Sequence, residues 1–175
     1  MNINFLKLND KKTEYLLLSS PHMRSSITGA PVLVGDEAIS PNNKARNHGV
    51  VFDRAMSMEK HISHVCQSAY YQLRRIAEIR HCLTRGAAES IIHALISFRL
   101  DFCNCLLASL PLTSIKRLQA VQNAAARLLT GTKKSDHISP EVRELHWLPV
   151  QCRVQFKILL LTYRALHNLS PGYVS

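Results

Sequence analysis

The chain has 175 residues, 46% of them apolar and 19% charged, which suits one ordinary domain with a buried core and excludes a disordered tail or a collagenous repeat. Twenty-two Lys and Arg against twelve Asp and Glu leave a formal net charge of +10, which favours an anionic partner such as nucleic acid over a basic one. Apolar runs such as residues 158–161 fall far short of the roughly 20 residues that a membrane span needs, and residues 1–5 lack the pattern of a secretory signal, so no membrane and a reducing, non-secreted compartment, cytoplasmic or nuclear, are expected.

Strand and turn vocabulary occupies residues 1–54. Residues 12–19 form a β-prone run closed by Ser20 and Pro21. Residues 32–34 and 37–39 flank Gly35 and Asp36, the pattern of a hairpin turn. Residues 47–53 read as a further strand, in which Gly49 suggests a bulge or a close backbone approach.

From about residue 57 the apolar period changes from two to 3.6. Ile62, Val65, Ala69, Leu73, Ile76 and Leu83 predict the inward stripe of a helix of six to seven turns, with Arg74, Arg75 and Glu78 off that stripe. A second helix is expected over about 86–107, with Ile91, Ile92, Leu95, Phe102 and Leu106 inward and Pro111 as a break. A third, over about 114–129, buries Ile115, Leu118, Val121, Ala125 and Leu128 and ends on Gly131 as a C-terminal cap. Ser139, Pro140 and Glu141 read as N-cap, first-turn proline and dipole-compatible acid of a short fourth helix. The last helix, about 150–167, is expected to turn Phe156, Leu159, Leu160, Tyr163 and Leu166 inward.

Charge divides unevenly. Residues 1–54 carry a net +2 and the remainder a net +8. Two-metal phosphoryl transfer needs paired carboxylates, and the one adjacent acidic pair, Asp36 and Glu37, sits in the expected hairpin turn, where Asp has a backbone reason to occur. There is no Gly-rich phosphate loop, nucleophile elbow or His-Glu-x-x-His helix. His61, His64 and Cys66 lie close together, and Cys103 and Cys105 add two thiols, but no second ligand pair matches them, so structural histidines and buried thiols are expected and no metal site. The odd count of five cysteines argues against a disulfide framework. The basic residues carry more information: Arg74, Arg75, Lys116, Arg117, Arg127, Lys133 and Lys134 fall on polar faces or helix ends, where they could meet phosphates without desolvation.

Several strings narrow the reading. Residues 6–16, Leu-Lys-Leu-Asn-Asp-Lys-Lys-Thr-Glu-Tyr-Leu, resemble the segment that follows the catalytic strand in reverse transcriptases of non-LTR, LINE-type retrotransposons. Residues 47–53, Asn-His-Gly-Val-Val-Phe-Asp, resemble the Asn-Leu-Gly-Val-x-x-Asp strand of the same family, with His48 in place of the usual Leu. Residues 99–104, 118–128 and 146–150 resemble segments beyond the palm in the jockey-like branch. In that order the resemblances extend over nearly the whole chain.

The resemblance implies the end of a polymerase palm followed by a thumb-like helical region. The magnesium-binding aspartates of the complete parent enzyme would lie before Met1, so this chain is expected to hold no cofactor and to be no enzyme on its own. Lys12 matches the family lysine that acts near the departing pyrophosphate, and is the one candidate catalytic residue. Asp101, Asn104, Gln119, Gln122 and Asn123 match recurrent family positions and are expected to form hydrogen bonds between helices.

The expected fold is therefore α+β, a small antiparallel β remnant over residues 1–54 followed by a mostly α-helical bundle over 55–175. The expected function is that of a catalytically incomplete fragment of a retrotransposon RNA-directed DNA polymerase, binding RNA or RNA–DNA template-primer duplex through backbone phosphates. The alternatives are a helical protein-interaction module, with a protein partner or self-association through an exposed sheet edge, and a non-functional transposon remnant.

Overall fold

The computed structural model describes residues 9, 12–20, 29–35 and 37–173. Residues 6–8, Asp10, Lys11, Pro21 and Asp36, on which parts of the sequence reading fall, lie outside the described residues. The fold is α+β. The chain divides into two compact units, Met1–His61 and Ile62–Ser175.

In the first unit the described strands are short and pair two by two. The β-prone run narrows to β1 (Tyr15–Leu16), which lies parallel to β4 (Pro41–Asn42), so the expectation of a purely antiparallel remnant is corrected. β2 (Val32–Val34) and β3 (Glu37–Ile39) form the expected hairpin, with Val34 opposite Glu37 and Gly35 at φ 62°. β5 (Lys44–Asn47), which the alternation did not suggest, pairs antiparallel with β6 (Val50–Asp53). His48 and Gly49 are the turn between them, at φ 45° and 86°. Two consecutive positive φ values are what a right-twisted two-residue hairpin requires, so Gly49 serves the turn and not a bulge. His48 is exposed there, which explains why an imidazole is tolerated in a strand-like segment.

Asp53 closes this unit's last strand. Its carboxylate accepts the N–H of Ala55 at 3.0 Å, the N–H of Ser57 at 3.1 Å and the hydroxyl of Ser57 at 2.9 Å. That network orders a loop in which Met56 and Met58 both adopt positive φ. The acid at the end of the Asn-x-Gly-Val-x-x-Asp string thus has a structural task.

The second unit is helical. α1 (Glu59–Ile79) buries Ile62, Ala69, Leu73 and Ile76 as the 3.6 period predicts; Cys66 is buried in addition, Val65 is only half-buried, and a 3-10 turn, Arg80–Cys82, ends the helix before the half-buried Leu83. α2 (Arg85–Ile92) starts at Thr84, whose hydroxyl accepts the N–H of Ala87. It runs through a π-helical stretch, His93–Ser97, into α3 (Phe98–Asp101). The helix expected to reach residue 107 stops here. Phe102 turns extended, Cys103 takes φ 52°, and a 3-10 turn, Asn104–Leu107, follows. The break redirects Phe102 and Leu106 outward, 40% and 42% exposed, against the expectation that both face inward.

α4 (Leu112–Thr130) matches its expected limits, and Gly131, at φ 77°, donates its N–H to Arg127 O at 2.8 Å, an αL cap. Leu129 is buried and Leu128 only partly so. α5 (Ser139–Glu144) begins one residue earlier than expected, because Val142 N–H reaches Ile138 O at 3.0 Å; Ser139 is inside the first turn and the N-cap is Ile138. It ends in a Schellman arrangement, with Trp147 N–H on Val142 O, His146 N–H on Arg143 O, and His146 at φ 54°.

α6 (Val150–Leu166) has the expected limits and the opposite orientation. Val150 and Val154 are buried, whereas Phe156, Leu159, Tyr163 and Leu166 are 58%, 68%, 55% and 76% exposed; Leu160 is half-buried. The helix carries apolar residues on two arcs, and two polar ties settle which one faces in. Gln119 Oε1 accepts the N–H of Val150 at 2.9 Å, and Arg153 Nη1 donates to Asp101 Oδ2 at 2.6 Å. Among the described residues no helix is long and apolar enough to cross a membrane.

Candidate nucleic-acid interface

Two hydrogen-bond sets fix the frame of the basic residues. Arg117, near the start of α4, donates to Ser63 Oγ at 2.8 Å near the start of α1. Arg80, just past the end of α1, donates from Nε to Leu128 O at 3.3 Å and from Nη2 to Leu129 O at 3.1 Å at the end of α4. α1 and α4 therefore lie side by side and point the same way. Their C-terminal ends sit together, and Arg80 places a cation where helix carbonyls lack partners.

That shared end gathers much of the basic surface. Arg74 and Arg75 are exposed on the last turns of α1, with the Arg75 guanidinium 5.9 Å from the Tyr71 ring centroid. Lys133 and Lys134 are exposed in the turn after α4. Arg127, expected to be available to phosphates, is instead half-buried. Its Nη1 donates to Lys133 O and its Nη2 to Asp136 O at 2.8 Å, so it holds the loop that presents the two lysines.

Lys116 and Arg117 stand at the other end of α4 and diverge, because consecutive helical residues point about 100° apart. Arg117 turns to Ser63 on α1, and Lys116 lines a groove between α4 and α5. The seven predicted cations thus form two groups, with Arg127 as a support for one of them. Sequence reasoning missed Arg80, whose partners are 48 and 49 residues away. Only its position directly after an amphipathic helix hinted at a terminal role.

In the first unit Lys12 is exposed, on a turn closed by its own N–H to Asn9 O at 3.0 Å. His61 is buried and His64 exposed, so the two do not share one environment. Cys66 is buried, Cys103 and Cys105 are half-buried, and Cys82 and Cys152 are exposed, which corrects the expectation of buried thiols. Among the described residues no group of three His, Cys, Asp or Glu side chains is placed to hold a metal ion.

Of the polar residues expected to bond between helices, Asp101, Gln119 and Gln122 reach other elements, whereas Asn123 is met from within α4 itself. Gln119 Nε2 donates to Gln122 Oε1 at 2.9 Å and to Asn123 Oδ1 at 2.8 Å, and Gln122 Nε2 donates to Leu148 O at 2.9 Å. With Asp101 on Arg153, and Asn104 Nδ2 within 3.5 Å of Asp101 Oδ1, these residues tie α4, the 148–150 corner, α6 and the end of α3 together.

No protein-family model, curated protein or solved structure matches this chain.

Proposed function

We propose that this chain is a catalytically incomplete fragment of a retrotransposon RNA-directed DNA polymerase, the end of the palm and the thumb-like helical region, and that on its own it binds template-primer duplex through backbone phosphates without polymerising. The observation that carries the reading is the exposed group Arg74, Arg75, Lys133 and Lys134 at the common end of α1 and α4, with Glu78 and Asp136 the acids nearest them in sequence. Residues 62–175 hold fourteen basic and six acidic side chains, so the surrounding field attracts a polyanion. The resemblance of residues 6–16, 47–53, 99–104, 118–128 and 146–150 supplies the polymerase context.

The test is the fluorescence anisotropy of a labelled RNA–DNA duplex with the full chain over a series of salt concentrations. Replacing Arg74 and Arg75 by Ala, or Lys133 and Lys134 by Ala, should weaken binding and flatten its salt dependence, by about 0.9 in slope for each lost phosphate contact. Unchanged slopes in both double variants defeat the assignment.

The exposed apolar residues of α6 favour a second reading, a helical protein-interaction module. Its signature is salt-insensitive association without duplex affinity.

A further inference from the structure

The N-terminal half of α4, α5 and the corner that follows enclose a groove of about 800 Å³, within the size range of ligand sites. Ile115 and Val142 form part of its apolar floor, and Lys116, Arg143 and His146 stand along it, all three exposed. Among the described residues no carboxylate lines it, and neither Lys116 nor Arg143 carries an ion pair. Trp147, the sole tryptophan of the chain, contributes to the wall; it is 6% exposed and its indole N–H has no acceptor in the protein.

We infer that this groove takes a short run of unpaired nucleotides, an inference that rests on the nucleic-acid reading above and assigns it a single-strand site separate from the Arg74, Arg75, Lys133 and Lys134 group. Two cations, Lys116 and Arg143, stand with the polar His146 ring along an apolar floor, an arrangement that suits a short run of phosphates with the flat apolar faces of bases against the floor. A buried single carboxylate ligand would need one cation and a closed cavity, whereas this groove is open to solvent. An acidic protein segment would satisfy the cations but supplies no flat apolar faces for the floor.

The test uses the full chain and the emission of Trp147, which reports on this wall alone because no other tryptophan exists. The probes are a ten-nucleotide thymidylate strand, a glutamate decapeptide and a blunt RNA–DNA duplex. The thymidylate strand is expected to change Trp147 emission saturably, and the glutamate peptide to leave it unchanged. Replacing Lys116 and Arg143 by Ala should abolish the response or lower its salt slope by about 1.4, at about 0.7 per phosphate contact on a single strand. Replacing Arg74 and Arg75 by Ala should leave the response intact while weakening duplex binding. Circular dichroism checks that each variant keeps its helices, and Arg143→Lys, which preserves the charge, should retain most of the response. An equal response to the glutamate peptide overturns the inference in favour of a polyanion or acidic-protein site. Duplex binding with no thymidylate response overturns the inference and leaves the proposed function standing, and failure of every nucleic-acid probe removes both.

Discussion

Gln119, in the middle of α4, accepts the backbone N–H of Val150 at 2.9 Å and so caps the first turn of α6 from outside that helix. The first N–H groups of a helix have no partner within it, and Pro149 at the cap position offers no side-chain oxygen. Gln122, 2% exposed, completes the hold by donating to Leu148 O. Leu148 O also accepts from Arg153 Nε at 2.8 Å, so Gln122→Ala removes one of its two donors and should cost about 1 kcal/mol, whereas Gln119→Ala takes away the acceptor of the Val150 N–H and should cost about 2 kcal/mol. Urea unfolding measures both, and an unchanged midpoint in either variant refutes the capping role.

The orientation of α6 is checked by a contrast between its two arcs. Val154→Ala removes buried methyl groups and should cost about 2 kcal/mol, whereas Leu159→Gln and Leu166→Gln, at exposed positions, should each change stability by less than about 0.5 kcal/mol. The two Gln variants should also lower any concentration-dependent association, read by light scattering, because they interrupt an exposed apolar surface. The reverse stability ranking would mean that Leu159 and Leu166 face the core.

Arg80 and Arg74 separate structure from binding. The Arg80 guanidinium donates to Leu83 O, Leu128 O and Leu129 O, so Arg80→Ala should lower stability by about 1–3 kcal/mol. Arg74→Ala, on an exposed face, should leave the thermal midpoint in place and reduce duplex affinity. A thermal scan paired with an anisotropy titration distinguishes the two, and equal midpoints for both variants would remove the capping role from Arg80.

Asp53 makes stability depend on acid. Burial alone would raise its pKa, but the N–H and hydroxyl of Ser57 together with the N–H groups of Ala55 and Met58 outweigh that effect and hold the carboxyl below its ordinary value. A depressed folded pKa contributes stability that is fully present above the unfolded carboxyl's titration, about pH 3.9, and is lost as pH falls through the lower folded value. Asp53→Asn should cost about 1–2 kcal/mol at neutral pH and weaken the acid dependence below about pH 4, as followed by denaturant unfolding at several pH values. An identical acid limb in the variant would exclude Asp53 as its source.

His48 occupies the first position of a two-residue turn at φ 45°. Asn tolerates that region better and Asn-Gly is the favoured pair, so His48→Asn should stabilise the chain by several tenths of a kcal/mol, about 0.5. A thermal midpoint below that of the parent chain would contradict the turn assignment.

The sequence by itself determined the local events. The change of period marked the helical region, the Gly35 turn set the β2–β3 hairpin, and Gly131 and Pro149 marked the limits of α4 and α6, because backbone sterics and short-range hydrogen bonds act within a few residues. Tertiary structure decided what depends on distant partners. The break at Cys103 has no Gly or Pro to announce it, and β5 holds Lys44, Arg46 and Asn47, which alternation does not read as a strand. α6 has two apolar arcs, and Asp101 and Gln119, 52 and 31 residues from their partners, chose between them. The candidate interface divides the same way. Charge pointed to the basic residues, but only the structure showed that Arg127 holds the loop after α4, that Arg117 faces Ser63 on α1, and that Lys116 shares a groove between α4 and α5 with Arg143. A side chain's partner is set by where other helices lie, and the one-dimensional pattern holds the direction of a helix face without naming what that face meets.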